Sequence, residues 1–356
     1  MLIIRKRWGH MGPQSGSDLL FESLAESTTI DSVFIDKTVV PGKSVIQRLL
    51  ERFHFIPKES LWSLQLSSIN GVKEIYAFKN AIDCLRKNPN TTLFVSCGEE
   101  QLSRQLIRLE PGIKKRIYIL LHQPPSWYDS QPGFLGHLSG LVGVFVFSKQ
   151  MKAYMDKLVD APVVSIMHGV DLDFFNPGIN QVTRNGKSII CVGNWYRDFE
   201  LLSNCWSRLH QFDQDLKLTL ITSNEALKNE WFQSLIQQPN VVHQTGLGSN
   251  QLLESYQSAC LHLLPLSDGV ANNALVESLA TACPVLATNI GSVSEYVPQD
   301  HFGLANKGDV EDHYQKTISL LSDSKLRNEM ARNQRRFALS HLSWSNISQQ
   351  VIAAVS

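Results

Sequence analysis

Short apolar runs alternate with longer amphipathic segments in two successive series along this 356-residue chain. Leu2-Ile3-Ile4 and residues 32–35, 92–96, 117–121 and 142–147 are nearly continuous apolar runs, the pattern of strands covered on both faces of a parallel sheet. Between them, residues 18–27 and 45–53 carry apolar side chains three and four apart, the period of a helix. Residues 163–167 add one short strand, and a loop over 168–186 follows with the turn signals Asn176-Pro177-Gly178 and Asn185-Gly186. The alternation then restarts, with strands expected at 188–192, 217–222, 241–243, 259–265 and 285–288 and only helices over 324–351. Two consecutive series of this kind predict an α/β chain of two facing, doubly wound, Rossmann-like domains, with ligands at the C-terminal ends of the strands. The length agrees, at roughly 150 residues per domain.

Composition narrows the function classes. Lys plus Arg and Asp plus Glu each number 33, so no basic excess holds nucleic acid, and nucleic acid is not an expected partner. The longest nearly apolar stretch, 141–147, falls far short of the roughly 20 residues that span a bilayer. The opening residues place their charges after the apolar ones, unlike a signal peptide. Six widely spread cysteines with no C-x-x-C pair fit a reduced, cytoplasmic setting, with neither a disulfide framework nor a zinc site. There is no P-loop, H-E-x-x-H, G-x-S-x-G or aspartate cluster, and no G-x-G-x-x-G after the first strand, where Gly12-Pro13-Gln14-Ser15-Gly16-Ser17 stands instead. No bound metal and no dinucleotide cofactor are therefore expected.

Residues 264–297 are the most informative stretch. A strand ends in the polar loop Ser267-Asp268-Gly269, a helix begins near Asn272 or Asn273, Pro284 stops it, and another strand follows. An asparagine cap leaves N–H groups at the positive end of the helix, a place for a diphosphate, in the order Asn272, Asn273, Ala274. Glu277 lies about one turn inside, where its carboxylate can accept bonds from ribose hydroxyls; an isolated helix Glu would more often face solvent.

This segment resembles the C-terminal signature of GT-B glycosyltransferases, specifically the retaining, nucleotide-sugar-dependent family 4. Glu277 matches the second glutamate of that family's Glu-x7-Glu motif, and Glu295 its later Gly-x-x-x-Glu. His168-Gly169-Val170-Asp171 with Phe175 and Pro177 resembles the family's interdomain turn, and residues 190–193 the strand end that opens the donor domain. Gly246-Leu247 resembles the turn at the nucleotide base, and Leu342-Ser343-Trp344 the start of the helix that crosses back. The resemblance implies an acceptor-side domain over 1–166, a donor domain over 167–335, and residues 336–356 returning to pack on the first. It implies transfer of a sugar from a nucleotide-diphosphate donor to an acceptor hydroxyl, on a glycan, a lipid or a small molecule, without metal.

Two departures qualify it. Gly269 stands where the family's first glutamate is expected. Either Asp268, one residue earlier, takes over the contact to donor-sugar hydroxyls, or the backbone of Asn272 and Asn273 makes it and Asp268 is a turn residue. The family's Arg and Lys pair is also missing from Val192-Gly193-Asn194-Trp195-Tyr196-Arg197-Asp198, where Arg197 is the one cation available to fork onto the phosphates beside Asn194; the alternative is a surface pair with Asp198.

In the first half, His122 follows a strand where family members carry a histidine facing the donor sugar, although a structural turn before Pro124-Pro125 also fits. Gly12 and Gly16 flank a loop that could bring backbone against phosphates or serve as a tight turn. Lys149 is placed near the cleft by the resemblance, or is a solvated surface lysine. The stripe Val45, Ile46, Leu49, Leu50, Phe53 with Arg48 and Arg52 fits a core-facing helix, the commoner outcome, or a peripheral contact with acceptor or membrane. The missing acid and lysine leave two other functions open: a GT-B-like binding or scaffold subunit without transfer activity, and a nucleotide-sugar epimerase.

Overall fold

The protein is described here by a computed structural model covering residues 1–6, 12–27, 31–35, 78, 81–99, 109–131, 133–178, 184–298 and 303–355. The chain divides into two compact units. Unit 1 comprises Met1–Met11, Gly16–Ile166 and Ser348–Ser356, and unit 2 comprises Gly12–Ser15 and Met167–Ile347.

Unit 1 is built on a parallel sheet of β1 (Leu2–Lys6), β2 (Asp31–Ile35), β3 (Leu93–Val95), β4 (Ile117–Leu121), β5 (Gly143–Val146) and β6 (Val163–Ser165). Its order, β2-β1-β3-β4-β5-β6, reverses direction between β1 and β3. The apolar runs fold this way because they are buried on both faces: β3 and β5 are buried throughout, and Phe21, Phe94 and Phe145 pack ring against ring. Arg5 of β1 is also buried, neutralised by Asp18 at 2.8 Å.

Unit 2 is built on β7 (Asn185–Val192), β8 (Lys217–Ile221), β9 (Val241–Gln244), β10 (Ala259–Leu264), β11 (Val285–Asn289) and β12 (Leu304–Asn306), all parallel. The order β12-β11-β10-β7-β8-β9 places the reversal between β7 and β10. Alternate residues of β7 feed two cores, Ile190 and Val192 into one and Ile189 and Cys191 into the other. Two sequence expectations are corrected. β12 lies outside the expected strands, since three residues after Gly303 are too few to show a period. β7 begins at Asn185 rather than Ser188, because Asn185-Gly186, a turn signal by composition, is drawn into pairing with Ala259 ahead of a register shift.

The chain ends in two helices, Ser324–His341 and Trp344–Val355. Of the stretch 336–356, residues up to Ile347 group with unit 2 and Ser348–Ser356 with unit 1. Among the described residues no helix is long and apolar enough to cross a membrane. The Val45 to Phe53 stripe, with Arg48 and Arg52, lies outside the described residues.

Candidate active site

The reversal between β7 and β10 is where an open α/β sheet leaves a crevice at its strand ends. Three chain segments meet there within unit 2. After β7, Gly193 takes a left-handed conformation (φ 83°), and a Cβ at that position would lie 2.7 Å from a guanidinium nitrogen of Arg197. Glycine is thus required by both backbone and space. Residues 194–198 lie against the loop after β10, with the Asp198 N–H bonded to the Pro265 carbonyl and the Ser267 N–H to that of Tyr196. After that loop comes the helix Asn273–Ala280, capped by Asn272, whose side chain accepts from the Leu275 N–H. The helix stops at Ala280, ahead of Pro284, through a left-handed Ala282 and a bond from the Cys283 N–H back to the Ser278 carbonyl.

Arg197 joins these segments from inside. It is only 8% exposed. Its Nε and Nη2 donate to the Val192 carbonyl, Nη1 to the Trp195 carbonyl at 3.0 Å, and Nη2 also to Asn272 Oδ1 at 3.3 Å. Those four bonds leave one of its five N–H groups. The expectation that Arg197 presents an open two-pronged fork to the diphosphate is therefore corrected: the fork is spent on the backbone at the end of β7 and on the helix cap. The alternative surface pair is absent too, since the Asp198 carboxylate caps the Phe199–Phe212 helix through the Leu201 N–H at 2.9 Å.

Glu277 is buried, 4% exposed. One carboxylate oxygen accepts from the Ser15 hydroxyl at 2.7 Å and the other from Tyr256 Oη at 3.0 Å. Burial pushes its pKa up, the two hydrogen bonds oppose this, and the result is about 7. Beneath it, fully buried His262 accepts from the Val192 N–H and meets the Ser278 hydroxyl, and burial holds its pKa well below the usual range. Ser15, Tyr256 and His262 carry no sequence signal of this role, because each reaches the site from a segment remote from Glu277.

Asp268 is half-buried and accepts from the Gly269 N–H at 2.7 Å, while a Cβ at Gly269 would meet nothing within 4 Å. Asn194 and Asn273 are half-buried at the same strand ends, and Ala274 is buried in the first turn of its helix. Gly246 takes φ 69° after β9, and Leu247 packs on the core shared with Glu277's helix. Gly12 approaches Ser249 so closely that a Cβ would lie 2.5 Å from its hydroxyl; Gly16 has φ 103°. Glu295 is half-buried in the short helix Val293–Tyr296, and Lys149 is exposed in the first turn of Lys149–Met155.

In unit 1, His122 follows β4 and is gripped by a residue that spacing did not single out. Glu99 accepts from the main-chain N–H groups of His122 and Gln123 and from Tyr128 Oη at 2.6 Å, and its second oxygen lies 3.4 Å from His122 Nδ1. His122 Nε2 lies 3.0 Å from the Ser17 hydroxyl. Burial pulls the imidazole down, but Cys97 and Glu99 outweigh it and raise the pKa to about 10. Burial likewise works to raise Glu99, and its bonds with His122 and Tyr128 leave it lowered.

Residues 186–323 match the family described as glycosyl transferases group 1. That match lies within the second unit and covers less than half of the chain. The whole chain has the GT-B fold: 99% of it aligns with 97% of the sucrose-phosphate synthase of Thermosynechococcus elongatus (15% identity, TM-score 0.74). It also aligns over 99% with 98% of the Anabaena protein HepE solved in complex with UDP-glucose (13% identity, TM-score 0.71). Among curated proteins, the sulfoquinovosyl transferase of Arabidopsis thaliana is 29% identical over 85 residues, 23% of this chain. That match spans 17% of the relative's length.

The raised carboxyl of Glu277 gives the second unit a pH signature. Its folded pKa of about 7 lies above the ordinary carboxyl value of 4.5, so the folded state binds the proton more tightly. The resulting stability is fully present below about pH 4.5 and is lost as pH rises through about 7, on the order of 3 kcal/mol in all. Denaturant unfolding of the ligand-free protein across this range is expected to show that loss, and Glu277→Gln is expected to remove it. An identical pH slope in both proteins would contradict the assignment.

Proposed function

We propose that this protein is a family 4, retaining glycosyltransferase that moves a sugar from a nucleotide-diphosphate sugar to an acceptor hydroxyl. The observation that carries the reading is Glu277, a buried carboxylate one turn inside a capped helix at the sheet reversal of a glycosyl transferase domain. Ser15 and Tyr256 hold it with hydroxyls, the same group a ribose would offer. The UDP-glucose bound by HepE supports a uridine nucleotide as the first to try.

Negative charge grows on the diphosphate as the glycosidic bond breaks, so groups aimed at it lower the barrier. The first-turn amides of Asn273 and Ala274 supply such a field, with Asn194 beside them and the Gly12 to Gly16 loop as backbone donor. Arg197 contributes by fixing the cap and the end of β7 and by the charge it keeps behind them. Gly246 and Leu247 flank the base, Asp268 or the Asn272–Asn273 backbone takes the sugar hydroxyls, and Glu295 borders the site. Within unit 1, Glu99 holds the ring and main chain of His122 in place. In the front-face course implied by the resemblance, the departing phosphate oxygen takes the acceptor's proton and no enzymic base is needed.

Calorimetry with UDP, GDP and ADP, followed by transfer assays with the matching sugars, tests this. One nucleotide is expected to bind with clear preference and its sugar to be transferred with retained anomeric configuration. EDTA is expected to leave the rate largely unchanged; loss restored only by Mn²⁺ or Mg²⁺ would contradict a metal-independent transfer. Nucleotide binding without any transfer would instead favour the scaffold subunit, and isomerised donor the epimerase.

A further inference from the structure

Cys97, Glu99 and His122 come together at one end of the unit 1 sheet because β3 and β4 are neighbouring parallel strands, and the loop after β3 turns alongside the end of β4. Gly98 lets that loop lie flat on the sheet: a Cβ there would fall 2.5–2.7 Å from the side chains of Ile119 and Leu121. One thiol sulfur, one imidazole nitrogen and one carboxylate oxygen then lie within 4.8 Å of one another.

We propose that these three side chains form a binding site for one zinc-class divalent cation, with a fourth position left open. The ligand set selects the metal: sulfur and imidazole suit Zn²⁺, whereas Mg²⁺ and Ca²⁺ take oxygen. One thiolate and one carboxylate balance the charge of a divalent ion. Tetrahedral zinc with Zn–S about 2.3 Å and Zn–N or Zn–O about 2.0 Å needs ligand atoms roughly 3.3–3.5 Å apart. His122 Nδ1 and Glu99 Oε2 already stand 3.4 Å apart, so only the cysteine corner must close in.

The surrounding hydrogen bonds are those of a supported metal site. With Nδ1 on the metal, Nε2–H donates to the Ser17 hydroxyl 3.0 Å away, which fixes the ring and its tautomer. Glu99 is anchored through its other oxygen, by Tyr128 Oη and the Gln123 N–H at 2.6 and 2.8 Å, so Oε2 is already aimed while Oε1 is occupied. Its side chain is 4% exposed and that of His122 is 21% exposed, which leaves a path for the ion on the histidine side.

Cobalt titration of the intact protein, followed by absorbance, tests the site independently of any transfer activity. One equivalent is expected to produce a thiolate-to-cobalt charge-transfer band that Zn²⁺ removes and Mg²⁺ does not. Cys97→Ser is expected to abolish the band and weaken zinc binding at least 100-fold, with Cys84→Ser unchanged. Tyr128→Phe, which leaves all three ligands in place, is expected to keep the band and bind on the order of 10-fold more weakly. Absence of the band in the unaltered protein overturns the proposal, as does its persistence in Cys97→Ser. Should Cys97→Ser fail to fold, full zinc affinity in Tyr128→Phe overturns it instead.

Discussion

Arg197→Ala is expected to lower the melting temperature and kcat/KM together. The guanidinium bonds two main-chain carbonyls and the Asn272 side chain from a buried position, so removing it leaves the Val192 and Trp195 carbonyls without those donors. Hydrogen bonds to a charged donor are worth about 1.5–3 kcal/mol each and do not simply add. A total near 3 kcal/mol is expected, or about 6–12 °C for a unit of this size. The loop after β7 and the cap of the Asn273–Ala280 helix loosen at the same time, and kcat/KM is expected to fall on the order of 100-fold. Arg197→Lys is expected to recover little of either, since one ammonium cannot reproduce bonds made by three nitrogens. Calorimetric melting beside steady-state kinetics decides between the two roles. A large kinetic loss with an unchanged melting temperature would return Arg197 to the phosphates.

Glu277→Ala is expected to weaken nucleotide binding roughly 10- to 100-fold, the worth of one charged hydrogen bond of 1.5–3 kcal/mol. Donor hydroxyls would replace Ser15 and Tyr256 as partners of this carboxylate, so the loss belongs to binding and shows in the dissociation constant for the nucleotide alone. Glu277→Gln keeps an acceptor oxygen and is expected to fall between. Titration calorimetry on both variants, with circular dichroism to establish that they fold, makes the measurement. Equal affinity in the unaltered protein and Glu277→Ala would remove Glu277 from the donor site.

These two residues show how unevenly sequence speaks about a site. Glu277 was legible because its signal is local: a polar loop, an asparagine cap and a carboxylate one turn on all sit within a dozen residues. Arg197 is equally visible as the one cation of its loop, yet its direction is not legible in the sequence. A charged side chain after a strand can turn to solvent or inward to carbonyls, and what selects the inward course is the space that Gly193 leaves open. Glu99 carries no local signal, because its partners His122, Gln123 and Tyr128 stand more than 20 residues away, beyond the end of the next strand.

Apart from β12, the sequence by itself determined the order of strands in the two series, the α/β organisation, and the capped helix that carries Glu277. Those features follow from short-range physics: apolar periodicity sets which faces are buried, and caps and turns are satisfied within a few residues. Only the tertiary structure decided the strand order within each sheet, and with it which strand ends are neighbours. That order brings Arg197 beneath Asn272, Ser15 and Tyr256 onto Glu277, and Cys97 and Glu99 beside His122. Buried polar groups must find partners wherever the fold places them, and sequence separation gives no measure of that distance.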